Sequence, residues 1–214
     1  MITDASHYLA LAAAYVRGVV GDCELDDDAA VARGERDGLR LHRFKRTCQL
    51  PRVRAVLGAL RGFGVTSLAD LGSGRGVFVW PLLDALPEMV ITATDLLPHR
   101  ARVFEQVARG GVAGLRVLRC DATALPLADR AVDCVTALEV LEHMPGNGPE
   151  RAAREAIRVA RSAVIATVPS HEDDNPEHVH LFDGDRLAAM FRAAGARRVA
   201  IDHVLNHIVA VATR

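Results

Sequence analysis

An α/β fold on a doubly wound, mostly parallel sheet is what this sequence predicts, and three observations predict it. From residue 66 onward, apolar segments of strand length alternate with segments of helical periodicity at the spacing of βα units. The first of these strands ends in a glycine turn, Gly72-Ser73-Gly74-Arg75-Gly76, that leads into an apolar stretch of helical spacing. The second ends in an acid, Asp95. Right-handed crossovers between parallel strands put helices on both faces, and ligands of such sheets sit beyond the carboxyl ends of the strands.

The 214 residues suffice for one domain with a substantial core, and half of them are apolar. Lys and Arg number 26 against 27 Asp and Glu, a net charge of −1, so no global basic field exists to hold a phosphate backbone. Nucleic acid is therefore not expected as a partner. Cys23, Cys48, Cys120 and Cys134 are scattered, without a C-x-x-C pair or a disulfide-like framework, and read as reduced thiols. The chain start lacks the basic residues and long apolar core of a signal peptide, and no apolar run reaches membrane-spanning length. These features predict a cytoplasmic protein with no membrane partner.

In chain order, residues 6–20 carry apolar side chains at helical intervals after Thr3, Asp4 and Ser6, which suit capping. The acidic run 24–28 reads as a solvated loop and cap for a short helix; Asp26-Asp27-Asp28 lacks the spaced glycine and distal Glu of a calcium loop. Residues 38–46 are basic and irregular (His42, Arg43, Lys45, Arg46), and a helix follows over residues 50–60. We assign residues 1–47 as an N-terminal helical segment and 48–214 as the main domain. Strands are predicted at 66–71, 90–94, 115–119, 131–138 and 163–168, and helices at 77–83, 98–108, 149–159 and 184–194. Alternation in 197–202 and 207–213 suits a terminal hairpin.

Glycines in the turn permit positive φ and let a ligand lie against the backbone N–H groups and the positive end of the next helix. The spacing is not the dinucleotide G-x-G-x-x-G, because the third glycine comes one residue early and Asp70 precedes the first. Asp-Leu-Gly-Ser-Gly-Arg-Gly resembles motif I of the class I S-adenosylmethionine-dependent methyltransferases. An acid at the position of Asp95 can accept both hydroxyls of a ribose, or cap the helix near Pro98. Cys120-Asp121-Ala122 resembles the family's adenine-contacting motif, and the stretch from Arg130 to Pro145 its fourth strand and following loop. Asp121 also suits a plain turn. Four motifs in the family's order span residues 68–145.

The resemblance implies a Rossmann-like sheet with an antiparallel last strand and S-adenosyl-L-methionine as cofactor. It implies cofactor contacts from Asp70, Gly72, Ser73, Gly74, Gly76, Asp95, Leu96, Asp121, Ala122 and Glu139. It also implies an N-terminal segment that covers the cofactor or the acceptor. One departure is visible, since Val159-Ala160-Arg161-Ser162-Ala163 enters the fifth strand without the proline-glycine-glycine turn of many relatives.

An O–H acceptor needs a base, and His143 is the best-placed candidate, although Glu-His-x-Pro in many relatives is structural. The loop 170–182 holds His171, His178, His180 and four acids including Asp173, and His178 and His180 should point apart if it is extended. The expected reaction is methyl transfer to a small-molecule acceptor, at oxygen or nitrogen. Two rivals stand beside it. Glu139, Glu142 and His143, on one face if helical, would with His178 or His180 suit a divalent ion, resembling the metal-dependent small-RNA 2′-O-methyltransferases. The second rival is a non-catalytic nucleoside-binding subunit. Pairing through an exposed helix face or the N-terminal helix would give a homodimer.

Overall fold

The computed structural model describes residues 3–46, 50–172 and 174–214, so Cys48 and Asp173 lie outside the described residues. It divides into two compact units, one of residues 1–50 and 73–119 and the other of 51–72 and 120–214.

In the first unit, helix α1 (Leu9–Val20) is followed by α2 (Asp27–Arg36). The Asp26 carboxylate caps α2 by accepting from Ala29 N at 2.7 Å, and Asp27 and Asp28 fill the first turn. The acidic run is thus a cap. The basic segment contains a 3-10 turn, Leu41–Phe44, whose Leu41 and Phe44 are buried. After the glycine turn come α4 (Val79–Ala85), β2 (Val90–Asp95), α5 (Pro98–Arg109) and β3 (Leu115–Arg119); α3 (Pro51–Phe63) and β1 (Ser67–Leu71) precede them in the chain. Strands β2 and β3 pair in parallel from Ile91 opposite Leu115 to Asp95 opposite Arg119. Helix α1 packs against α5 and the turn after it with close backbone approach at two glycines. A Cβ on Gly18 would stand 1.9 Å from the Gln106 carbonyl oxygen, and one on Gly110 1.7 Å from that of Ala14. Tyr15, Phe44, Trp80 and Phe104 form a continuous aromatic run with centroid separations of 4.6–5.5 Å.

The second unit holds α3 and β1, then β4 (Val132–Leu138), α6 (Gly148–Val159), β5 (Ala160–Pro169), α7 (Gly184–Ala193), β6 (Arg198–Val204) and β7 (His207–Thr213). Strands β1, β4 and β5 run parallel, and β7 runs antiparallel to β5 and to β6. The antiparallel last strand is therefore present. Alanines on α6, Leu187 and Phe191 on α7, and the apolar residues of β4, β5 and β7 form one buried cluster. Asp133 ties the amino-terminal end of β4 to the start of β1. Its Oδ2 accepts from Thr66 N, Thr66 Oγ1 and Ser67 N, each at 3.0 Å, and its Oδ1 pairs with Arg161 at 2.8 Å. Arg158 on α6 similarly grips the loop before β4, donating to the carbonyls of Leu125 and Leu127 while pairing with Glu155 and Asp129.

Two differences from expectation matter for the site. Helix α4 begins at Val79 rather than Val77 and has only seven residues, because Gly72 to Phe78 is spent on turns. The backbone of the turn, more than a helix dipole, is what a ligand would meet. The segment after β4 is not an α-helix: Glu139 has φ +56° and only Leu141–His143 form a 3-10 turn.

Candidate active site

The three glycines of the turn, Gly72, Gly74 and Gly76, have φ of +62°, +60° and +81°, a region closed to most L side chains. Space closes it further. A Cβ on Gly76 would lie 2.1 Å from the Trp80 indole, and one on Gly72 2.4 Å from Val140 Cγ2. Ser73 is buried, and its N–H donates to Thr94 O at 2.8 Å. This hydrogen bond anchors the turn to the end of β2.

Asp95, 4% exposed, ends β2. Its Oδ2 accepts from Gly74 N and its Oδ1 from Leu97 N, both at 2.9 Å, with Arg100 Nη1 at 3.9 Å from Oδ2. The carboxylate is thus held by the glycine turn on one side and by the entry to α5 on the other, and each oxygen keeps acceptor capacity for a further donor. Leu96 beside it is exposed, although large and apolar.

In the second unit, buried Asp70 accepts from Thr136 Oγ1 at 2.7 Å. Asp121 is exposed and its Oδ1 accepts from Thr123 N at 2.8 Å, so it forms the turn that Asp favours. Ala122 packs on the buried apolar cluster. Glu139 is held in its left-handed conformation by three partners far away in sequence. Thr167 Oγ1 donates to Oε1 at 2.8 Å, His207 Nε2 lies 3.0 Å from Oε2, and Arg52 Nε lies 3.8 Å from Oε1. A non-glycine residue at positive φ is strained and persists only where its surroundings hold it. The segment is not the helix that the spacing of Glu139, Glu142 and His143 suggests. Neither Arg52 nor His207 carried a motif that would have singled it out.

Glu142, His143 and His178 do come together, each offering a ligand atom within 4.8 Å of the others. His143 Nδ1 lies 3.0 Å from the Glu177 carbonyl and its ring meets that of His178 edge-on at 4.7 Å. His180 turns away, with Nδ1 3.4 Å from Arg186 and its ring toward Phe182, as strand-like alternation predicts.

The first unit also encloses a cavity of about 580 Å³. Its lining includes Gly74, Arg75 and Gly76 of the turn, apolar Trp80, Pro81, Val103 and Phe104, and Tyr8 with the basic residues Arg40, Arg43 and Lys45. The sequence marked those cations, but nothing in it put them on one cavity with the glycine turn.

A family model described as a methyltransferase domain matches residues 69–167. An uncharacterized methyltransferase of Mycobacteroides abscessus is 34% identical over 110 residues, covering 50% of this chain and 39% of that protein, so the chain spans about two fifths of the curated relative's length. A SAM-dependent methyltransferase from Aquifex aeolicus aligns with a TM-score of 0.61 at 22% identity, over 77% of this chain and 90% of that one. An O-methyltransferase family protein from Burkholderia thailandensis gives 0.63 at 17% identity, over 87% and 60%. Magnesium protoporphyrin IX methyltransferase from Synechocystis PCC 6803 with bound SAH gives 0.61 at 16% identity, over 76% and 82%. At these identities the solved structures show the fold alone, that of a mostly parallel sheet with antiparallel last strands. Residues 69–167 of this chain therefore match a methyltransferase domain, and the fold is that of the class I methyltransferases.

Proposed function

We propose that this protein transfers a methyl group from S-adenosyl-L-methionine to oxygen or nitrogen of a small-molecule acceptor. One observation carries the reading beyond the domain match: the buried Asp95 carboxylate, clamped by Gly74 N–H and Leu97 N–H, faces a glycine turn whose backbone excludes side chains. The donor set fits the cofactor. A carboxylate with spare lone pairs suits the two hydroxyls of a ribose, exposed Leu96 suits a ring face, and the bare backbone of Gly74 and Gly76 lets a ligand come close. Asp70, Gly72, Asp121, Ala122 and Glu139 are proposed as further contacts on the family motifs. The cofactor, when bound, supplies a methyl group already activated on a sulfonium. The protein then has to align acceptor and methyl and exclude water, which is worth roughly 7–11 kcal/mol in favourable cases.

His143 is proposed as the base for an O–H acceptor. Its Nδ1 faces the Glu177 carbonyl, which fixes the proton there and leaves Nε2 as the free lone pair. Residues 1–47 are proposed to cover the site, supported by Tyr8 and Arg40 lining the same cavity as Gly74 and Gly76. Calorimetry with S-adenosylhomocysteine tests the core of the reading. Saturable binding is expected, weakened about tenfold or more in Asp95→Ala, and the absence of heat from the native protein would sink it.

A metal-dependent reading has one observation in its favour, the convergence of Glu142, His143 and His178. Manganese titrated into the protein separates the two. Metal-dependent turnover that EDTA abolishes favours it, and full turnover in EDTA removes it.

A further inference from the structure

We infer that the acceptor is an organic anion, a carboxylate or phosphate on an apolar body, and that the cavity of the first unit holds it. The inference rests on the methyl-transfer reading and narrows its acceptor. Five basic side chains, Arg40, Arg43, Lys45, Arg75 and Arg100, line this cavity, and no carboxylate lines it among the described residues. In a chain of net charge −1 that is a strong local segregation.

Arg100 stands 3.9 Å from the Asp95 carboxylate, and the other four cations are available to a ligand. Arg46, next in sequence to Lys45, is consumed by a bidentate pair with Asp84, both contacts at 2.8 Å, and does not line the cavity. Arg40, Lys45 and Arg75, by contrast, are exposed and make no ion pair among the described residues. Arg43 is pre-positioned, its guanidinium 5.3 Å above the Tyr15 ring and its Nε donating to Arg40 O at 3.0 Å. Preordered guanidinium groups favour planar and tetrahedral oxyanions. Trp80 and Phe104 in the same lining are apolar and suit the body of the ligand. A volume of about 580 Å³ holds one small molecule beside the glycine turn and gives no track for a polynucleotide.

Trp80 lines the cavity and is the chain's one tryptophan, so its fluorescence reports occupancy. Phenyl phosphate, benzoate and neutral benzamide are titrated into the full chain, each with and without saturating S-adenosylhomocysteine, whose own binding is followed by calorimetry. A saturable response to an anion but not to benzamide is expected, persisting with S-adenosylhomocysteine bound. It should weaken about tenfold in Arg40→Gln/Lys45→Gln, whose side chains are exposed, and recover in Arg40→Lys. Phenyl phosphate against benzoate decides between phosphate and carboxylate. Equal binding of benzamide, an unchanged response in the double variant, or stoichiometric displacement of the anion by S-adenosylhomocysteine overturns the inference. So does binding of a single-stranded RNA oligonucleotide where the small anions fail. If S-adenosylhomocysteine does not bind while the anions do, the methyl-transfer reading fails instead.

Discussion

Replacing Gly76 by alanine isolates the steric demand on which the glycine turn depends. The added Cβ meets two costs. At φ +81° an L residue is strained by about 1–2 kcal/mol. The Cβ would also stand 2.1 Å from the Trp80 indole, which is 3% exposed and wedged between Phe44 at 5.2 Å and Phe104 at 4.6 Å. A ring so enclosed moves only by displacing its neighbours, and overpacking of this kind costs about 1–3 kcal/mol. Together the loss is about 2–5 kcal/mol. Gly38→Ala is the control, because φ is +67° there and a Cβ would meet nothing within 4 Å. Urea denaturation followed by circular dichroism should place Gly76→Ala about 1–3 kcal/mol below Gly38→Ala, and S-adenosylhomocysteine affinity should fall only in the former. Equal losses in the two variants would refute the steric argument.

Gly18→Ala should destabilise by about 2 kcal/mol, since its Cβ would meet the Gln106 carbonyl at 1.9 Å, whereas Gly58→Ala in the open middle of α3 should stabilise by about 0.5–1 kcal/mol; the same sign in both would overturn this. Burial pushes the Asp133 carboxyl up, but hydrogen bonds from Thr66, Arg161 and Ser67 outweigh it and hold the group well below the usual carboxylate range. Its stabilisation is therefore complete above the ordinary unfolded value, about 4, and is lost as pH falls toward the folded value. Asp133→Asn should cost about 2 kcal/mol at pH 7 and flatten the fall in urea midpoint below about pH 4, and an unaltered acid slope would count against it. Burial, with the Asp133 charge adding to it, pushes the Cys134 thiol up to about 12, while Cys23 is exposed. Iodoacetamide at about pH 8 should label Cys23 and spare Cys134 until denaturant is added, read by peptide mass; equal labelling would contradict the burial.

Much of the architecture is legible in local pattern. Strand β3 coincides with its apolar run at Leu115–Arg119, and α5 starts at Pro98, where proline suits a first turn. Strand β5 extends three residues earlier than its apolar pattern, to Ala160, because parallel pairing with β4 begins at Val132 opposite Ala160. The acid at the end of β2 and the glycine turn were both readable, and Gly74 N–H does meet Asp95. The conformation of Glu139 was not readable. An i, i+3, i+4 spacing says helix, but the hydrogen bond from Thr167 and the pairing with His207, both distant in sequence, hold the residue at positive φ.

By itself the sequence determined the order of strands and helices, the need for glycine at the turn, and the class of the fold. Those follow from periodicity and from steric rules acting over a few residues. Only the tertiary structure decided which polar groups meet. It set Arg52 and His207 on Glu139, gathered Glu142, His143 and His178, and turned Arg40, Arg43 and Lys45 toward a cavity walled by Trp80. Such meetings depend on chain crossings tens of residues apart, and no local spacing encodes them.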